Sequence, residues 1–237
     1  MITKAEIKMV RGLADKKNRD AEGLFVVEGE KMVQEALSST FRVQKVWRRE
    51  EIGDEAMDRM SLLSSPSPVL AVVAKPEPRG LLLERGLYLG LDSVRDPGNL
   101  GTIIRIADWF GVNTVFASPD TVDAFNPKVV QATMGAIFRV NVVYADLVAL
   151  SRRFKEAGMP VFGTFLDGEN IYRKELGRAG LLLMGNESNG ISDALAAEVD
   201  ERLLIPRAAL ASEAFSRAES LNVAVATAIT LSEFARR

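Results

Sequence analysis

Apolar positions in the first third of the chain fall in short blocks separated by charge. Residues 3–15 repeat at helical spacing, and LFVVEG (24–29) is an apolar run that reads as a buried strand entering a helix through Leu37. VQKVW (43–47) reads as a second strand, residues 54–63 as a charged helix, and VLAVVA (69–74), after the breakers SSPSP, as a third strand. The Pro- and Gly-containing KPEPRG that follows places a linker at about 75–86, between a first domain over 1–78 and a second over 86–237. From LYLGLD (87–92) the pattern alternates strongly. A helix is expected from about 100, a strand at NTVFA (113–117), a helix from Pro127, a strand near 137–143 and a helix over 145–157. Strands PVFGTF (160–165), LLLMG (181–185) and RLLIP (202–206) and a terminal helix over 222–236 complete it. Short apolar strands alternating with amphipathic helices predict an α/β fold, its mostly parallel sheet covered on both faces.

Composition narrows the chemistry. With 237 residues, 47% of them hydrophobic and 26% charged, the chain can bury one large core, or a small one and a medium one. No apolar run approaches the length of a membrane span, and MITKAEIKMVRGLADKK carries charges where an export signal needs apolar residues, so the expectation is a cytoplasmic protein with no membrane partner. The absence of Cys and His excludes disulfides, thiolate nucleophiles, Ser-His catalysis and the usual zinc sites; no metal is expected. The formal net charge of −2 announces no polyanion partner. Through Arg49, however, eleven Lys and Arg stand against seven Asp and Glu, so any nucleic-acid footprint is expected near the N-terminus.

Three segments carry candidate chemistry. In LDSVRDPGNLGTIIRIADWFGV (91–112) a strand ends at Asp92, a Pro-Gly turn follows, and Leu100, Ile103, Ile104 and Ala107 face the core. Arg105 then sits at the border of the exposed face, free for a ligand or paired with Asp108 or Trp109 one turn on. LLLMGNESNGIS (181–192) is a strand ending in a loop whose Gly185 and Gly190 allow close backbone approach, although Ser192 can equally cap an ordinary helix there. In LLIPRAALASEAFSRAESLNVAVATAITLSEFARR (203–237) a strand stops at Ile205-Pro206 and a helix starts around Ser220-Leu221-Asn222, with Ser220 a candidate N-cap. Leu221, Val225, Ala228 and Ile229 form one apolar stripe on that helix, suited to a partner helix.

Together the pieces DPGNLGTIIRIADWFGV, GNESNGIS, and IP followed by ESLNVAVATAI resemble the three motifs of the SpoU (TrmH) family of S-adenosylmethionine-dependent RNA methyltransferases, in the family's order. FNPKVVQATMGAIFRVNV (125–142) resembles the same family, and ADKKNRDAEGLFVVEGEKMVQEAL (14–37) is similar to the small α/β L30e-like RNA-binding domain often found ahead of these enzymes. The resemblance implies a SPOUT-like catalytic domain with a C-terminal trefoil knot, a homodimer through that domain, and ribose 2'-O-methylation of RNA, either rRNA or tRNA, with the N-terminal RNA-binding domain tilting the expectation towards rRNA. It implies a cofactor pocket of Thr164, Met184, Gly185, Gly190, Ile205, Pro206, Leu221 and Asn222, a reacting ribose ringed by Asn99, Arg105, Glu187, Ser220 and Asn222, and phosphate contacts from Lys16, Lys17 and Arg19. In the family's scheme an arginine accepts the ribose proton. A guanidinium, with a pKa above about 12, is a poor base, so Arg105 is read as holding phosphate and stabilising the alkoxide while a phosphate oxygen or water takes the proton. Here RAALASEAFSRA (207–218) intervenes where the family has a few residues, and reads as a longer active-site loop. A non-catalytic RNA-binding or ribosome-assembly protein with the same fold is the alternative; a dinucleotide enzyme is disfavoured because DSVRDPGNLG lacks the G-x-G-x-x-G phosphate loop.

Overall fold

A computed structural model describes residues 2–77, 83–186, 188–208 and 219–236. They fall into two compact units, one within Met1–Arg79 plus Asp123–Arg139, the other within Gly80–Val122 plus Val140–Arg237.

The first unit opens with α1 (Lys4–Gly12), fixed at its start by a reciprocal capping box: the Glu6 N–H donates to the Thr3 hydroxyl at 3.2 Å, and the Thr3 N–H to the Glu6 carboxylate at 2.8 Å. The single helix expected over 3–15 breaks at Leu13, and a second, α2 (Lys16–Glu22), follows and ends on Gly23 at φ 64°. Next come β1 (Leu24–Glu28), α3 (Glu30–Ser38), β2 (Val43–Arg48), α4 (Arg49–Ile52), α5 (Asp54–Met60) and β3 (Val69–Ala74). The strands form an antiparallel sheet in the order β1-β3-β2. Val10, Leu13, Val26, Trp47, Met57, Met60, Leu70 and Val72 build a core between that sheet and the helices.

The second unit begins with β4 (Leu87–Leu91), α6 (Pro97–Trp109) and β5 (Thr114–Ala117). The helix α6 starts earlier than the apolar spacing suggests, because Asp96 caps it by accepting from the Asn99 N–H at 2.8 Å and Pro97 takes the first helical position. At Asp123 the chain leaves this unit. α7 (Pro127–Thr133) and a 3-10 turn at Ala136–Phe138 cluster instead with the first unit, where Phe125 and Phe138 pack on Phe25 with ring centroids 4.8 and 6.4 Å away. That burial explains the apolar character of 136–138, which suggested a strand; the strand is only β6 (Asn141–Tyr144). The unit resumes with α8 (Leu147–Glu156), β7 (Val161–Asn170), β8 (Gly180–Met184), α9 (Asp193–Ala196), β9 (Glu201–Leu204) and α10 (Val223–Arg236). Its six strands pair in the order β6-β5-β4-β8-β7-β9, every neighbour parallel. Among the described residues no helix is long and apolar enough to cross a membrane.

Two side-chain expectations change. Arg19 is not a surface phosphate contact: it is 1% exposed, its Nε and Nη2 donate to Asp123 at 3.0 and 2.6 Å, and its Nη1 donates to the Leu13 and Ala14 carbonyls at 2.8 and 2.6 Å. A guanidinium 1% exposed, with four of its five N–H donors engaged inside its own unit, is not presented to RNA. Lys16 and Lys17 are exposed, Lys16 beside Asp20. On α10 the buried residues are Val223, Ala224, Thr227, Thr230, Leu231, Glu233 and Phe234, whereas Val225, and Leu221 just before the helix, are about half exposed. The Thr227 and Thr230 hydroxyls donate to the carbonyls of Val223 and Ala226, which satisfies them and lets small side chains turn inward.

Candidate active site

The carboxyl ends of β4, β8, β7 and β9 lie side by side, and the loops leaving them carry the three motifs. In open parallel sheets that edge is where ligands bind.

Hydrogen bonds spanning long sequence separations hold the loops together. At the end of β4, the Asp92 N–H donates to the Met184 carbonyl at 2.9 Å, and the buried Asp92 carboxylate accepts from the Ser192 N–H at 2.7 Å. Ser93 follows in the left-handed region at φ 56°, rare for a side chain larger than glycine's. Each of its polar groups is engaged: its N–H donates to Ser118 Oγ at 2.8 Å, its carbonyl accepts from Asn186 Nδ2 at 2.8 Å, and its hydroxyl donates to the Asp120 carboxylate. The hydroxyls of Ser93 and Ser118, and then Arg95, hold the Asp120 carboxyl down at about 2.

At the end of β8 the chain doubles back. Asn186 and Gly190 exchange two backbone hydrogen bonds of 2.9 Å, and Asn186 Oδ1 accepts from the N–H groups of Ser188 and Asn189 at 2.9 and 3.2 Å. Gly185 is required there, since a Cβ would fall 2.1 Å from the Gly190 carbonyl carbon. A Cβ on Gly190 would meet nothing within 4 Å. Thr164, in β7 just past its last pairing with β8 at Gly163, donates to Met184 Sδ at 3.6 Å. Past β9, Ile205 and Pro206 are half-buried, and Arg207 donates to the Glu219 carbonyl, which brings Pro206 near the exposed Ser220 and Leu221. Between these points, residues 209–218 of the longer loop lie outside the described residues.

The N-cap of α10 is Asn222, not Ser220: Asn222 Oδ1 accepts from the N–H groups of Ala224 and Val225 at 2.9 and 3.2 Å. Its Nδ2 donates to Asn99 Oδ1 at 2.9 Å and so joins the first turn of α6 to the start of α10. Arg105 stands apart, six residues and about 9 Å of helical rise beyond Asn99. It is exposed, and among the described residues it neither pairs with Asp108 nor stacks on Trp109, itself 84% exposed. Glu187 lies outside the described residues. The linking residues Asp92, Ser93, Asp120 and Asn186 escape sequence reasoning, because Asn186 meets Ser93 across 93 positions and Ser192 meets Asp92 across 100. The one local hint is a polar side chain at each strand's end.

Comparison with known proteins agrees with this geometry. Residues 86–232 match the model of the SpoU rRNA Methylase family, and residues 4–76 that of the MRM3-like substrate binding domain. The 23S rRNA (guanosine(2553)-2'-O)-methyltransferase RlmP of Bacillus subtilis is 33% identical over 94% of this chain and 93% of its own length. The structure of a TrmH-family protein from Porphyromonas gingivalis superposes with a TM-score of 0.88 at 38% identity, covering 100% of this chain and 99% of that one. An AdoMet-bound rRNA methyltransferase from Sinorhizobium meliloti gives 0.87 at 31% identity, covering 100% and 96%. With three motif loops meeting on one sheet edge and the family model spanning most of the chain, this protein belongs to the SpoU rRNA methylase family.

Proposed function

We propose that this chain is an S-adenosylmethionine-dependent RNA ribose 2'-O-methyltransferase whose substrate is ribosomal RNA rather than tRNA. The observation that carries the reading is the 2.9 Å bond between Asn222 and Asn99, which joins the RNA-facing first motif to the cofactor-facing third.

The residues at the strand ends fit the cofactor. Met184, half-buried Ile205 and Pro206, and half-exposed Leu221 offer apolar walls for an adenine; Thr164 offers a hydroxyl, and Gly185 and Gly190 leave backbone groups approachable, with open space beside Gly190. When bound, S-adenosylmethionine supplies an electrophilic methyl group. The chain's own work is placement. Asn99 and Asn222, each holding the other's amide, orient the ribose, with Ser220 beside them. Arg105, exposed and unpaired among the described residues, takes an RNA phosphate and stabilises the developing 2'-alkoxide, while the proton leaves to a phosphate oxygen or water. Glu187 orients Arg105 and the RNA. Lys16 and Lys17 add phosphate contacts in the first domain, over 1–78, ahead of the catalytic domain over 86–237.

A homodimer through the catalytic domain belongs to the same proposal, supported by the exposure of Trp109, Leu221 and Val225 on α6 and at α10. So does the C-terminal trefoil knot, supported by family membership. Because the Bacillus relative is named for a 23S rRNA guanosine and matches nearly the whole chain, large-subunit rRNA is the first substrate to test. Incubation of total RNA with the protein and methyl-labelled cofactor, followed by mapping of the label, is the experiment. Label on a ribose 2'-oxygen of rRNA is expected; label on bases, on tRNA alone, or nowhere refutes the reading.

A further inference from the structure

The Asn186 side chain bonds to neither Asn99 nor Asn222, yet it spans two motif loops. Its Nδ2 donates to the Ser93 carbonyl at 2.8 Å, and its Oδ1 caps the turn through Ser188 and Asn189. The first bond holds a residue in an unfavourable conformation, φ 56° at Ser93, just upstream of the first turn of α6, which brings Asn99 to Asn222. The second sets the turn that separates Gly185 from Gly190. A single amide thus fixes the distance between the loop that presents the cofactor and the loop that presents the ribose.

We propose that Asn186 is a positioning residue for methyl transfer, acting through Ser93 on the first motif and through its own turn on the second. This inference rests on the proposed function. Both halves of the amide are needed, and they can be separated chemically. Asn186→Asp keeps an oxygen that accepts from Ser188 and Asn189 but places another against the Ser93 carbonyl in place of the donor. Asn186→Ala removes both.

The test uses the full chain, methyl-labelled S-adenosylmethionine and deproteinised large-subunit rRNA, with cofactor affinity read by calorimetry. For Asn186→Asp the expectation is a cofactor Kd within about threefold of wild type and kcat lowered by about tenfold to a hundredfold, the scale of a misplacement near 1 Å. Ser93→Gly removes the conformational penalty that the clamp opposes, since glycine adopts this backbone freely. In a Ser93→Gly background, Asn186→Asp should therefore lower kcat by several-fold less than it does beside Ser93. Ser93→Gly also keeps the test open if Asn186→Ala fails to fold. A kcat for Asn186→Asp equal to wild type, or the same fall in both backgrounds, overturns the proposal. Absence of methyl transfer by the wild-type chain overturns the function on which it rests, and the proposal with it.

Discussion

Gly185→Ala is the most demanding test of the packing at the site. The added Cβ would lie 2.1 Å from the Gly190 carbonyl carbon, 2.2 Å from the Ile191 nitrogen and 2.5 Å from the Gly190 oxygen, all of them backbone atoms with no rotamer to change. Ordinary carbon contacts begin near about 3.5 Å, so the chain at 190–191 must retreat by more than about 1 Å. A retreat of that size breaks the paired 2.9 Å bonds between Asn186 and Gly190. Two lost hydrogen bonds at about 1 kcal/mol each, with overpacking strain of about 1–3 kcal/mol, give a destabilisation of about 3 kcal/mol or more. Because Met184 and Gly185 belong to the proposed pocket wall, cofactor affinity should fall at least about tenfold, or 1.4 kcal/mol. Urea unfolding and calorimetric titration with S-adenosylmethionine measure the two effects. Gly190→Ala is the control for stability alone, since Gly190 belongs to the proposed pocket: its Cβ meets nothing within 4 Å, and its φ of 70° costs only about 1–2 kcal/mol for an L-residue. Equal loss of stability from the two substitutions, or a Gly185→Ala protein as stable as wild type, would refute the argument.

The other predictions follow from charges. Asp123→Ala strips the partner from Arg19, whose side chain is 2% exposed, and should destabilise the first unit by about 3–5 kcal/mol in denaturant titrations; an unchanged midpoint would show that the pair is dispensable. Arg105→Ala should abolish methylation while calorimetry still reports wild-type cofactor binding, because the side chain is exposed on its helix and makes no ion pair among the described residues; near-normal turnover would remove Arg105 from the mechanism. Asp120, held at about 2 by Ser93, Ser118 and Arg95, stabilises the fold above its unfolded pKa of about 3.9, and loses that contribution as pH falls through about 2. Asp120→Asn should therefore unfold more easily than wild type at pH 5–7, with the gap closing between about pH 4 and 2; a gap independent of pH would contradict the assignment.

Apolar periodicity located most elements because it records burial, and burial within one element is a local property. It failed where burial was supplied from elsewhere. Residues 136–138 are apolar because they fill the first unit, so a strand was expected where the chain makes a 3-10 turn. Helical spacing joins Leu221, Val225, Ala228 and Ile229 into one stripe, whereas α10 buries Val223, Ala224, Thr227, Thr230, Leu231, Glu233 and Phe234. Arg19 read as a surface cation because nothing nearby in sequence announces Asp123. At the site, Asn99 and Asn222 were legible only through the family's motifs, since no spacing rule pairs positions 123 apart.

The absence of His and Cys sets what this site can contribute. Catalysis by a tuned general base is closed to imidazole and thiol, and the described polar groups at the loops are largely amides and hydroxyls already engaged with one another: Asn222 with Asn99, Asn186 with Ser93, Ser118 with Ser93 and Asp120. Groups so committed make poor proton acceptors but good fixtures, because moving one breaks bonds on two loops. In the proposed mechanism the electrophile comes from outside the chain, and the nucleophile is a ribose hydroxyl whose proton passes to a phosphate oxygen or water. On that proposal the protein's part is to hold two substrates in line and to put the exposed Arg105 guanidinium where charge develops. Substitutions that loosen the loop clamps should accordingly lower kcat without changing the shape of its pH profile, whereas replacing a general base would change that shape.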